Sequence, residues 1–127
     1  MVEVNIKTPI YPTESTKRVK EVVKNLFLDL EVSIEDSEKK KMLKAQGNQE
    51  QIDYLRQKIL EQKISDTARS IISENNLCFS LNKQAATVGE INFKQDGPLG
   101  VIEVEILGDR NTIDYLAPKT KDGEPIE

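Results

Sequence analysis

Val2, Val4 and Ile6 alternate with Glu3, Asn5 and Lys7, the period of two that sets one face of a strand against a core. Pro9 and Pro12 close that strand, and from Ser15 the period changes. Val19, Val22, Val23, Leu26 and Phe27 recur at three and four, which predicts a helix with one apolar side. The Ser15 hydroxyl is suited to accept from the free amides of its first turn. Leu30, Val32 and Ile34 alternate again, a polar, lysine-rich turn follows from Glu35 to Lys41, and a short segment runs around Met42 to Ala45; together these predict a hairpin. After Gly47, Asn48 and Gln51 have capping-box spacing and open a second helix carrying Ile52, Leu55, Ile59 and Leu60 on one side. Ile64, Ala68, Ile71 and Ile72 form a further stripe, displaced around the helix axis. The displacement predicts a break or kink between Gln62 and Ser65, with a single bent helix as the alternative.

Three strand patterns follow Asn75-Asn76: Leu77 to Lys83, Thr87 to Phe93 and Val101 to Leu107, each rich in β-branched or aromatic residues. Turns are marked at Gln84 to Ala86 and at Asp96-Gly97-Pro98, and Asp109 is suited to cap a short helix reaching Leu116. Ala117 to Glu127 is polar and carries Pro118, Gly123 and Pro125, a tail expected to fray. With no repeat and no composition shift, the pattern reads as one α+β domain over residues 1–116, with 117–127 as its polar C-terminal tail. A single mixed or antiparallel sheet with helices packed on one face is the simplest architecture.

At 127 residues, 37% apolar and 31% charged, the chain is long enough to bury a core without metals or disulfides. No apolar run approaches the roughly 20 residues that span a bilayer, and the N-terminus interleaves acids and bases where a signal peptide would be apolar; a cytoplasmic, unprocessed protein is expected. The lone Cys78 lies between Leu77 and Phe79, so no intrachain disulfide or thiolate zinc site is available, and a buried, inert thiol is expected. Histidine is absent, which removes the commonest general base and the commonest transition-metal ligand. No cofactor and no metal site are called for. The net charge of -4 argues mildly against non-specific polyanion binding, but the excess acid is local. Residues 1–47 carry nine bases and eight acids, 48–95 six of each, and 96–127 three bases and eight acids.

Candidate chemistry gathers at Asn82-Lys83-Gln84, where two amides and an ammonium meet at a strand end and can contact a phosphate or a base edge. A plain polar strand end is the alternative. Arg56, Lys58, Lys63 and Arg69 share the two middle helices with Glu61 and Asp66; they read either as a modest phosphate-facing patch or as a solvated face. Lys39-Lys40-Lys41 is offset by Glu35, Asp36 and Glu38 just before it. Phe27, Phe79 and Phe93 sit on apolar faces, leaving few aromatics for stacking on single-stranded bases. Glu103 and Glu105 alternate with apolar residues and read as the wet side of a strand, and no nucleophile and base can be paired.

Four motifs stand in order: Tyr11-Pro12-Thr13-Glu14-Ser15, Lys63-Ile64-Ser65-Asp66-Thr67-Ala68-Arg69-Ser70, Leu81-Asn82-Lys83-Gln84-Ala85-Ala86-Thr87-Val88-Gly89 and Gly97-Pro98-Leu99-Gly100. Through them the chain, from Val2 to about Leu107, resembles a family of small uncharacterised archaeal proteins whose members carry RNA-binding or exosome-subunit labels. The resemblance implies a fold like that of the large-subunit ribosomal protein that holds five-S RNA, and carries no catalytic residues. Thr16 stands where the family commonly has proline; either suits a first helical turn. The resemblance also implies basic side chains near Lys63, Arg69 and Lys83. The expectation is therefore a non-catalytic, RNA-associated protein contacting phosphates through Lys83, Arg69 and Lys63, with Arg56 at the margin and amide contacts from Asn82 and Gln84. The rival is an assembly protein that forms a homodimer or docks a protein complex through its sheet.

Overall fold

The computed structural model describes residues 3–28, 30–36, 41–94, 100–108, 110–117, 120–121 and 124–125. In chain order the elements are β1 (Glu3–Pro9), α1 (Thr16–Phe27), β2 (Glu31–Asp36), β3 (Lys41–Gly47), α2 (Gln49–Glu61), α3 (Ser65–Glu74), β4 (Cys78–Asn82), α4 (Lys83–Ala86), β5 (Val101–Leu107), α5 (Arg110–Leu116), β6 (Thr120–Lys121) and β7 (Glu124–Pro125). The first five strands form one antiparallel sheet in the order β2-β3-β1-β5-β4, and β6 pairs with β7. The expected α+β architecture of a single antiparallel sheet packed by helices is what forms.

Alternation decides which face is covered. Val4, Ile6 and Thr8 of β1, Leu43 and Ala45 of β3, Phe79 and Leu81 of β4, and Ile102, Val104 and Ile106 of β5 point to one side and are buried. Against them α1 buries Val19, Val22, Val23, Leu26 and Phe27, α2 buries Ile52, Leu55 and Ile59, and α3 buries Ala68 and Ile72. Removing each large side chain from water is worth about 1.5–3 kcal/mol, which is what turns these short helices into a fixed layer. The caps form as the spacing predicts: the Arg18 amide donates to Ser15 Oγ, and Asn48 and Gln51 close a capping box.

The predicted break after α2 is a reversal with Lys63 at a φ of 56°; the Lys63 amide donates to the Leu60 carbonyl and the Ile64 amide to that of Ile59. These are the two hydrogen bonds of a Schellman ending, formed with lysine where glycine is usual. Two expectations fail. Thr87 to Phe93 is no strand: amides of Thr87, Val88 and Gly89 bond back to α4 and Gly89 takes a φ of 74°. Cys78 is exposed, because the antiparallel register turns it to the uncovered face beside Glu105. The expected Asp109 cap, and the Gly97-Pro98-Leu99 part of the expected turn, lie outside the described residues, as does most of the tail. No helix among the described residues is long and apolar enough to cross a membrane.

Candidate nucleic-acid interface

The Asn82-Lys83-Gln84 trio sits where β4 runs into α4, and its members do different things. The Asn82 side chain accepts from the Ala85 amide, starting α4, and donates to the Lys94 carbonyl at 3.2 Å; the residue is 8% exposed. Lys83 turns inward and is fully buried. Its Nζ donates to the Pro9 carbonyl at 2.6 Å and to Glu14 Oε1 at 2.7 Å, and lies 5.1 Å from the centre of the Tyr11 ring. An ammonium taken out of water needs such partners. Glu14 Oε1 also accepts from the Tyr11 amide, and the Lys83 amide donates to Gly100. Glycine at 100 has a φ of 77°, and a Cβ there would stand 2.6 Å from the Tyr11 hydroxyl. The group is a latch joining the β1–α1 connection, α4 and the start of β5. This corrects the expectation that Lys83 offers charge to a phosphate: its charge is spent inside the fold, and the Asn82 amide is likewise engaged in a cap. Gln84 alone of the trio is exposed.

The middle-helix cations are also engaged, in part. Arg69 binds Asp114 at 2.6 Å and donates to the Ala117 carbonyl at 3.2 Å, closing α3 onto α5. Arg56 donates to the Tyr115 carbonyl at 2.7 Å and stacks 4.9 Å from that ring. The same ring's hydroxyl donates to Asp53; that hydrogen bond holds the Asp53 carboxyl below its ordinary range and pushes the Tyr115 hydroxyl up. Lys63 is exposed and makes no ion pair among the described residues. Of the expected set, Arg56 and Arg69 both reach α5, Arg69 also the residue after it, while Lys83 is held by Pro9 and Glu14 instead. Lys58 and Gln62, near the end of α2, bond the carbonyls of Gly89 and Ile91, while Asn25 of α1 bonds those of Ala86 and Thr87. The segment from Ala86 to Ile91 therefore ties the C-terminal turns of α1 and α2 together through Asn25, Lys58 and Gln62.

The cations that sequence reasoning passed over are on α1. Lys17 and Lys24 lie opposite its apolar stripe with Glu21 beside them, Lys20 stands in the same i, i+3, i+7 row at the edge of the stripe, Arg18 is on the other flank, and none of the four is ion-paired among the described residues. Lys17 and Lys24, two turns apart, stand about 10 Å apart along the axis. The signal was present in the spacing of Lys17, Lys20 and Lys24, the complement of the stripe already used to place the helix.

The uncovered sheet face has the opposite character. Register places Glu31, Ser33 and Glu35 of β2, Lys44 and Gln46 of β3, Glu3, Asn5 and Lys7 of β1, and Glu103 and Glu105 of β5 on it. Five glutamates thus face two lysines, which bind Glu35 at 2.9 Å and Glu103 at 4.0 Å. A shallow trough of about 420 Å³ crosses β3, β1, β5 and β4 at this face. None of the residues that register places on it is aromatic, and Phe93 stands at its β4 margin beside Cys78, Ser80 and Glu103, so the face offers bases one ring at its rim and no stacking platform across it.

A family model described as RNA binding matches residues 3–107. The chain is 36% identical to the UPF0201 protein of Thermococcus kodakarensis, over 98% of this chain and 96% of that one. It is also 36% identical to a UPF0200/UPF0201 protein of Archaeoglobus fulgidus, of whose greater length it spans 40%. Among solved structures, that of the UPF0201 protein from Methanococcus jannaschii superimposes with a TM-score of 0.87 at 32% identity, covering 98% of this chain and 99% of that one. By sequence and by fold, this chain belongs to the archaeal UPF0201 family, whose matching model is described as RNA binding.

Proposed function

We propose that the protein is a non-catalytic RNA-associated protein of the cytoplasm that contacts phosphates through the outer face of α1, with Lys63 and Gln84 as neighbouring contacts. The observation that carries this reading is the row of three lysines, Lys17, Lys20 and Lys24, on one side of α1, none of them ion-paired among the described residues. Phosphate contact from lysines and arginine positions a protein on RNA without reading sequence, and the face offers no aromatic side chains for unstacked bases, so duplex RNA is the expected substrate in preference to single strands. Arg69 and Arg56 join only if they release Asp114 and Tyr115.

Fluorescence anisotropy with a short RNA duplex tests it. Phosphate contacts from these three lysines and Lys63 give a log–log salt slope of about −3 to −4, a loss of about a hundredfold between 50 and 200 mM salt. Lys17→Glu with Lys24→Glu lowers affinity and flattens the slope by about 1.5, leaving the circular dichroism spectrum unchanged. Equal retention of duplex by that variant, or none by the wild type at low salt, overturns the reading.

The acidic open face favours a second role, docking of a protein partner through the sheet. A homodimer through the same face would bring five glutamates from each copy against one another with only two lysines apiece, an unfavourable desolvation. A cationic partner matches that charge.

A further inference from the structure

We propose that β2 is an acceptor edge for a basic, extended segment of a partner protein, which joins the sheet as a sixth strand antiparallel or parallel to Glu31–Asp36. The proposal deepens the second reading, docking through the sheet, and does not depend on RNA contact. It starts from an asymmetry between the two edges. The β4 edge is closed: the Asn82 amide donates to the Asn92 carbonyl, its side chain reaches Lys94, and Phe93 stacks edge-on to Phe79 with ring centres 6.1 Å apart. Among the described residues, no hydrogen bond reaches the outer side of β2, so its outward amides and carbonyls are available to another strand.

The two faces of β2 specify what that strand must carry. Toward the helices, Leu30, Val32 and Ile34 pack on the core yet stay only partly buried, so the helical layer stops short of this edge. A neighbouring strand with apolar residues at alternate positions would complete that cover. On the open face, Glu31, Ser33 and Glu35 alternate with those apolar residues, and Lys44 neutralises Glu35 alone. Opposite charges at cross-strand positions are favourable and like charges are not. The complementary strand therefore alternates apolar residues with lysine or arginine. The same rule excludes a second copy of β2 in the in-register antiparallel pairing about Ser33, which would set Glu31 directly opposite Glu35 twice. Acids on an edge also discourage self-association; here they do so while leaving the edge open to a chain of opposite charge, and addition of a strand to such an edge is an established recognition mode.

The probe is a blocked peptide of about eight residues alternating valine and lysine, strand length, with an alternating valine–glutamate peptide as control. Amide hydrogen exchange of the intact protein is followed with each. The expected result is slowing of the β2 amides that point away from β3 by ~3-fold or more with the lysine peptide only, the effect fading as salt rises. Glu31→Lys with Glu35→Lys is expected to exchange the preference, so that the glutamate peptide protects β2. Glu31→Gln with Glu35→Gln, which should weaken both, serves if the reversed variant does not fold. Protection confined to the open face, with Cys78 shielded from alkylation and β2 unchanged, overturns strand addition while leaving docking through the sheet standing. No protection by either peptide, with unchanged Cys78 alkylation, overturns both.

Discussion

Replacing Lys83 by methionine keeps the volume of the buried stem and removes the ammonium. Glu14, whose side chain is 12% exposed, then keeps one donor, the Tyr11 amide, while the Pro9 carbonyl loses its 2.6 Å donor. Removing one partner of a buried pair costs about 3–5 kcal/mol, because the other charge is left without compensation. Residual water at Glu14 and its remaining hydrogen bond place this case at the lower end, about 3 kcal/mol. For a chain of this length that corresponds to a fall in Tm of about 10 °C. Glu14→Gln in the Lys83→Met background removes the stranded charge, so the two losses fall short of adding by about 2 kcal/mol. Urea titration followed by circular dichroism on wild type, both single variants and the double variant gives the coupling directly. A loss below about 1 kcal/mol for Lys83→Met, or additive losses around the cycle, refutes the assignment of Lys83 to an internal latch. Duplex RNA affinity, measured at low temperature where Lys83→Met remains folded, is expected to be unchanged. A fall there would return Lys83 to the phosphate-binding set.

Lys63→Gly separates stability from binding: glycine relieves the left-handed conformation at the end of α2 and should raise stability by about 0.5–1 kcal/mol, while the loss of one cation lowers duplex affinity in the same anisotropy assay. Gly100→Ala meets the Tyr11 hydroxyl at 2.6 Å in a backbone conformation that disfavours a side chain, so denaturant titration should show a loss above about 1 kcal/mol. Tyr115→Phe removes the hydrogen bond that depresses the Asp53 pKa. A depressed carboxylate stabilises the fold above its unfolded pKa and ceases to do so as pH falls through the lower folded value, so the variant should be slightly less stable at neutral pH and converge on wild type in acid. Cys78, exposed on the open face, should react with a thiol reagent in the native protein about as fast as in urea.

Elements with a long periodic stripe were legible because burial acts on every third or fourth residue. The α1 stripe, the Asn48–Gln51 capping box and the β2–β3 hairpin form as their patterns predict. Thr87 to Phe93 misled because its β-rich composition has no partner strand: the neighbour that β4 finds is β5, and the α4 turn pulls residues 87–89 back on themselves. The failure at Lys83 is of another kind. A polar trio at a strand end looks the same whether its side chains face water or the interior, and only the position of Glu14, 69 residues away in sequence, decides it. Pairing over that distance leaves no local pattern. Arg69 is disguised in the same way by Asp114.

The net charge of -4 averages over two surfaces that register keeps apart. On α1 a spacing of three and four puts Lys17, Lys20 and Lys24 on the side away from the core; on β1, β2 and β5 a period of two puts glutamates on the side away from the same core. Because the core lies between them, the two fields are separated by a sheet and a helix layer, a distance comparable with or beyond the Debye length at physiological salt, about 8 Å. Each surface therefore meets its partner with little interference from the other. A polyanion at α1 and a basic strand at β2 are then compatible on one molecule, and reversing charges on α1 should leave peptide protection at β2 intact, just as reversing Glu31 and Glu35 should leave the duplex affinity where it was.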